Sequence, residues 1–251
     1  MNKEEQILLK HLRDLAFQAD KRNYTTHSEF LNMNEQTIFF NHLQELPPIH
    51  YELWGGYAEA ERKVIAFSPM AEIEKEEYEI MMLEIAPAHM KFADQLTHRD
   101  FLGAILNLGI ERGRIGDILL KDNNGYVFTD PMIGEYIASS LTRIKHTTVT
   151  CTLKAVEEVD IKPEYKEMNT TISATRLDAI IAAAFKTSRS SMTGLIAAGK
   201  VFVNGKLIES NSYVLKQEDI VSVRGFGKFI FKGINKQTKK GRLSVTFLIY
   251  I

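Results

Sequence analysis

Ser188-Arg189-Ser190 sets a guanidinium between two hydroxyls where an apolar stripe of helical period begins. A helix N-terminus presents unpaired backbone N–H groups and the positive end of the helix dipole, which suits an anion. Arg176 opens the preceding helix and Lys200 leaves the end of the following one, so the three cations can line one groove. Arginine brings a planar fork and lysine a point charge, two devices that fit phosphate. The chemistry to expect is electrostatic grip on a polyanion, with no bond made or broken. Lys206, Arg224 and Lys228 extend the candidate set. Asn204 either touches a backbone or only makes a turn that needs positive φ. Lys232, Lys236, Lys239, Lys240 and Arg242 form either a solvated loop or a nonspecific contact.

The elements that must hold these residues are legible. Leu177, Ile180, Ile181, Ala184 and Phe185 mark the buried face of a first helix, with Thr175 and Asp178 at capping-box spacing. Asp178 reads as a cap. Ser188 can cap a second helix through Ala198, with Met192, Leu195 and Ile196 inward, and can equally make a contact. Gly199 ends that helix. Val201–Val203, Asn204-Gly205 and Lys206–Ile208 read as strand, type I′ turn and strand. Further strands are expected at 220–223, 228–234 and 243–251. Residues 173–251 hold 13 Lys and Arg against 4 Asp and Glu, so the formal net charge of −1 hides a basic C-terminal part and an acidic remainder. That asymmetry points to a polyanion.

These elements resemble the S4-type RNA-binding domain. The resemblance runs from Arg176-Leu-Asp through Ser188-Arg189-Ser190 and Gly199-Lys200-Val-x-Val-Asn204-Gly to Arg224-Gly-Phe-Gly-Lys228-Phe229. Structured RNA is read mostly by shape, phosphate and 2′-hydroxyl, which a rigid platform of charges and hydroxyls matches.

The fold class expected is α+β. A small N-terminal α/β domain (1–75) would hold a helix at 4–19 with Ile7, Leu8, Leu12, Leu15 and Ala19 inward. A second helix from Asn34 to Leu46 would stop at Pro47-Pro48, before a strand at 63–67. A central domain (76–155) follows the order β-α-β-β-α-β of the ferredoxin or RRM-like kind. Thr97–Asp100 would cap its first helix, Lys121–Gly125 turn its hairpin and Asp130-Pro131 start its second helix. It lacks the aromatic motif by which RRMs stack bases. A polar stretch, 156–172, reads as linker, and 173–251 as the S4-type domain with a C-terminal strand extension. The Glu72–Glu77 run reads as a solvated charged face.

Several function classes lack support. Lone Cys151 excludes a disulfide framework, and the seven histidines lack metal-ligand spacing. His98-Arg99-Asp100 is without the other kinase elements and reads as a helix start. No nucleophile, base and orienter converge, so neither enzyme activity nor a cofactor is expected. The N-terminus lacks signal-peptide order and no run reaches a membrane span, so a cytoplasmic protein is expected.

The whole layout resembles the YlmH-type proteins of Gram-positive bacteria, on Gly55-Gly56-Tyr57 with Glu59–Arg62, and His98–Gly103 through Ile115-Gly116-Asp117-Ile118. The resemblance implies a non-enzymatic RNA binder that supports tRNA on obstructed large ribosomal subunits during quality control; contact with rRNA as well as tRNA, and a monomeric state, are expected. It also allows a role in cell division, with a protein partner on the acidic part. The rival is an RNA-modifying enzyme of the pseudouridine synthase type, but Gly241-Arg242-Leu243 is followed by Ser244 where that family has aspartate.

Overall fold

The structure, a computed structural model, describes residues 3–69, 78–156, 162–239 and 241–251; the Glu72–Glu77 run and Lys240 lie outside the described residues. The chain divides into two compact units, Met1–Lys162 and Pro163–Ile251.

In the first unit, α1 (Lys3–Arg22) lays Leu12, Ala16 and Ala19 against Ile65 and Phe67. Ile7, expected on that face, is 60% exposed, because the buried stripe runs through Leu9, Leu12, Ala16 and Ala19. Helix α2 (Met33–Phe40) stops short of Leu46, and a 3-10 turn at Leu43–Glu45 continues to the proline pair. A small antiparallel sheet orders β1 (Thr26–His27), β3 (Val64–Ser68) and β2 (His50–Trp54), with β3 central and fully buried.

The central elements are β4 (Met81–Pro87), α3 (His98–Leu106), β5 (Ile115–Lys121), β6 (Asn124–Thr129), α4 (Pro131–Ser140), β7 (Arg143–Ile144) and β8 (Thr147–Lys154). Their sheet order β5-β6-β4-β8-β7 is antiparallel throughout, the split βαβ arrangement with β7 added at one edge. Asp130 caps α4 by accepting from Ile133 N at 3.0 Å. The hairpin turns on Asp122 and Asn123, whose φ values are 51° and 65°, and not on Gly125. Gly125 is needed for space: an added Cβ would lie 2.6 Å from the buried Phe101 ring. Gly125→Ala should therefore destabilise the protein by about 1–3 kcal/mol in urea denaturation, the usual cost of overpacking; an unchanged midpoint would show that Phe101 can yield.

The Gly55–Arg62 loop seals the sheet face opposite the helices. Tyr57 stacks on Phe128 with centroids 4.9 Å apart, and the side chain of Asp117 accepts from Tyr57 Oη (2.8 Å), Glu61 N (2.7 Å) and Arg62 N (3.1 Å). Burial pushes the Asp117 carboxyl above its usual range, against the pull of these three hydrogen bonds. Arg62 donates to the carbonyls of Phe30, Arg112 and Ile115, and Arg112 to those of Ile115 and Gly116. Burial, then the charge of Arg62, draws Arg112 down to about 10. These residues weld the two halves of the unit together.

The second unit begins inside the expected linker. Tyr165–Ile172 is a strand, β9, paired along its length with β14 (Leu243–Tyr250). Its polar alternation, with Met168 and Ile172 turned to the core, hid it in the sequence. The expected elements follow: α5 (Leu177–Ala184), α6 (Arg189–Ala197), β10 (Val201–Val203), β11 (Lys206–Leu207), β12 (Asp219–Val223) and β13 (Gly227–Gln237). Strands order β11-β10-β12-β13-β14-β9, all antiparallel. Ile180, Ile181, Met192 and Ile196 of the helices share one core with Val221, Val223, Phe229, Phe231 and Phe247. Period-two burial along β12 and β13 meets the Met192 and Ile196 stripe of α6, whereas α5 is buried on nearly every side.

Candidate nucleic-acid interface

Asp178 is not a helix cap. It sits in the first turn of α5, its side chain only 4% exposed, and holds two arginines. Arg189 donates to its Oδ2 from Nε (3.1 Å) and Nη2 (2.8 Å), and Arg176 donates from Nε to Oδ1 (3.1 Å). Both arginine side chains remain about half exposed, at 49% and 51%. Burial works against the charged carboxyl, but the Arg189 and Arg176 guanidiniums outweigh it and hold Asp178 below the usual carboxylate range. The carboxylate therefore stays charged above the usual range for aspartate, and its grip is lost only as pH falls through that lowered value. Each guanidinium keeps N–H groups that Asp178 does not use, since an arginine carries five in a fixed fork. Two forks, pre-aimed by one buried carboxylate, have the donor geometry that suits a phosphate.

Ser188 is the N-cap of α6, accepting from Ser191 N at 3.2 Å, and its hydroxyl lies 3.1 Å from that of Ser190. Ser188, Arg189 and Ser190 are all exposed, so the cap also presents its hydroxyls outward. Arg176 N-caps α5 by backbone position alone. The structure thus brings Arg176, Ser188, Arg189 and Ser190 to the adjoining N-termini of α5 and α6.

Lys200 belongs to a second group, beyond the far end of α6 and about 13 Å along its axis from the first. Its carbonyl accepts from Arg224 N at 2.9 Å, and Arg224 lies over the Phe202 ring at 4.8 Å. Lys228 covers the Tyr250 ring at 4.9 Å. Lys206 is exposed on β11. Asn204 leaves the candidate set. Its Nδ2 donates to Asp219 (2.8 Å), its Oδ1 accepts from Ile220 N (2.9 Å), and its φ of 48° makes the turn. Of the later cations, Lys232 pairs with Glu218 at 2.7 Å and Arg242 ties β14 to β9 through Thr171. Lys236 and Lys239 are exposed.

Two features escaped the sequence. The role of Asp178 depends on Arg189, eleven positions away, which capping-box spacing cannot suggest. Phe226, 45% exposed between Arg224 and Lys228 and tilted against Phe185, offers a ring face beside cations, a combination suited to an unpaired base. The Arg-Gly-Phe-Gly-Lys spacing was the available signal.

Residues 4–71 match the family described as "YlmH, N-terminal", 74–158 the "Putative RNA-binding domain in YlmH", and 175–221 the S4 domain. The chain is 29% identical over 225 residues to the "Ribosome-associated protein quality control protein P2" of Bacillus subtilis, covering 88% of this chain and 85% of the relative. A solved structure, "Cell division protein ylmH from Streptococcus pneumoniae", shares the fold with a TM-score of 0.52 at 21% identity, over 64% of this chain and 97% of that one. The chain therefore carries, in order, two YlmH-type domains and an S4 domain.

Proposed function

We propose that this protein works by docking, without chemistry, on the large ribosomal subunit in the cytoplasm. Its C-terminal unit would bridge rRNA and tRNA and hold tRNA in place on obstructed subunits during quality control. The observation that carries this reading is the pair of half-exposed guanidiniums clamped on buried Asp178 beside the hydroxyls of Ser188 and Ser190. The Bacillus subtilis relative, named for ribosome-associated quality control, supports the ribosomal setting. Arg176, Ser188, Arg189 and Ser190 form the primary contact set, and Lys200, Lys206, Arg224 and Lys228 the second.

If about five phosphates are neutralised, log K for purified large subunits should fall with log[salt] at a slope of about −4. Equilibrium binding of the full chain across salt measures this. A flat response contradicts phosphate docking.

A second reading, a scaffold in cell division, draws on the pneumococcal protein of the same fold, which is named for division. Pull-down from nuclease-treated lysate separates the two: division proteins retained without ribosomal RNA favour the scaffold.

A further inference from the structure

The central domain poses a distinct question: which of its faces would take RNA. On an RRM-like sheet, bases stack on exposed aromatics of the central strands. Here β6 supplies Tyr126 and Phe128, but they are 8% and 1% exposed beneath the Gly55–Arg62 loop. Tyr57 occupies the stacking position over Phe128, and Asp117 fastens the loop that carries it. Glu84 takes up more of that face, accepting from Tyr126 Oη at 3.0 Å and pairing with Lys154 at 2.6 Å. Among the described residues, the rings of that face are covered and its Lys154 is paired.

The opposite side differs. A surface groove of about 450 Å³ runs between α3 and the corner where α4 passes into β7. Arg99 stands on its α3 wall and Arg143 on its β7 wall; both are exposed, and neither guanidinium has a hydrogen bond or ion pair among the described residues. Lys145 adds a third cation, which Asp100 neutralises at 2.6 Å. The remaining lining mixes aliphatic residues with small and polar ones, Gly103, Asn107 and Thr142 among them, and contains no aromatic ring. Two free guanidiniums on facing walls without a stacking platform suit a strand's phosphates and not its bases.

We infer that this groove is a second RNA-binding site, gripping the phosphodiester backbone of a structured RNA between Arg99 and Arg143. The central domain then binds RNA on its helical side, its sheet being sealed by the chain's own loop. The site lies in the first unit and does not depend on the C-terminal clamp.

Gly103 provides a test that spares the fold. A Cβ there meets nothing within 4 Å, and its backbone is helical, so a longer residue enters the groove without a clash. Full-length Gly103→Glu should keep or raise its unfolding midpoint, glycine being a poor helix former, but bind purified large subunits several-fold more weakly than the parent. Arg99→Gln/Arg143→Gln should flatten the salt slope by about 1.5 to 2, one phosphate contact being lost per arginine. Parental affinity and slope in both Gly103→Glu and the double variant overturn the inference and leave the groove to an acidic protein partner. Arg176→Gln/Arg189→Gln, measured in parallel, separates the two sites. Loss there alone contradicts only the groove, and loss in the groove variants alone contradicts only the C-terminal clamp.

Discussion

Arg176→Gln/Arg189→Gln is expected to weaken binding to purified large subunits by two orders of magnitude or more. A hydrogen bond to a charged group contributes about 1.5–3 kcal/mol, so two lost forks amount to about 3–6 kcal/mol before coupling is counted. The arginines share Asp178, so their effects will not simply add. Arg189→Gln alone should cost more than Arg176→Gln, because Arg189 makes two hydrogen bonds to Asp178 and is the more rigidly aimed. The double variant also leaves a buried carboxylate unpaired, which threatens the fold. Adding Asp178→Asn removes that charge. The triple variant should regain stability in urea denaturation but not affinity. Parental affinity in a folded triple variant would remove the cluster from the interface.

The largest effect on stability is expected at Asp117. Asp117→Ala deletes an acceptor that three donors share: Tyr57 Oη, Glu61 N and Arg62 N. Breaking a buried network by removing one partner costs about 3–5 kcal/mol, because the groups left behind stay desolvated. The loop that seals Tyr126 and Phe128 would lose its anchor as well. Asp117→Asn, whose amide oxygen still accepts, should lose roughly half as much. Urea denaturation monitored by Trp54, next to the loop, reads both variants. A loss below about 1 kcal/mol in Asp117→Ala would mean that Arg62 and Arg112 hold the loop without it.

The sequence exposed most clearly what local rules decide. The α5–α6 pair, the Asn204-Gly205 hairpin and the Asp130-Pro131 helix start all rest on period, turn and cap signals within a few residues. What stayed hidden depends on distant partners. β9 is half polar and becomes a strand only by pairing with β14, more than seventy positions later. Gly125 looked like a turn glycine, yet Phe101, from another element, is what demands its bare Cα. The Gly55–Arg62 and Ile115–Asp117 signatures carried the family resemblance, but their physical task, a buried weld, needed the fold to be seen. Asp178 shows the same limit within the site: its position suggested a cap, while two arginines across a helix junction made it a clamp.

Ultraviolet crosslinking in cells, with mass mapping of the RNA-bound peptides, tests the docking reading most directly. Docking through the α5–α6 junction predicts ribosomal and transfer RNA adducts on peptides spanning residues 176–200, and their disappearance in the stable triple variant Arg176→Gln/Arg189→Gln/Asp178→Asn. Adducts confined to other peptides, or unchanged in that variant, would contradict it.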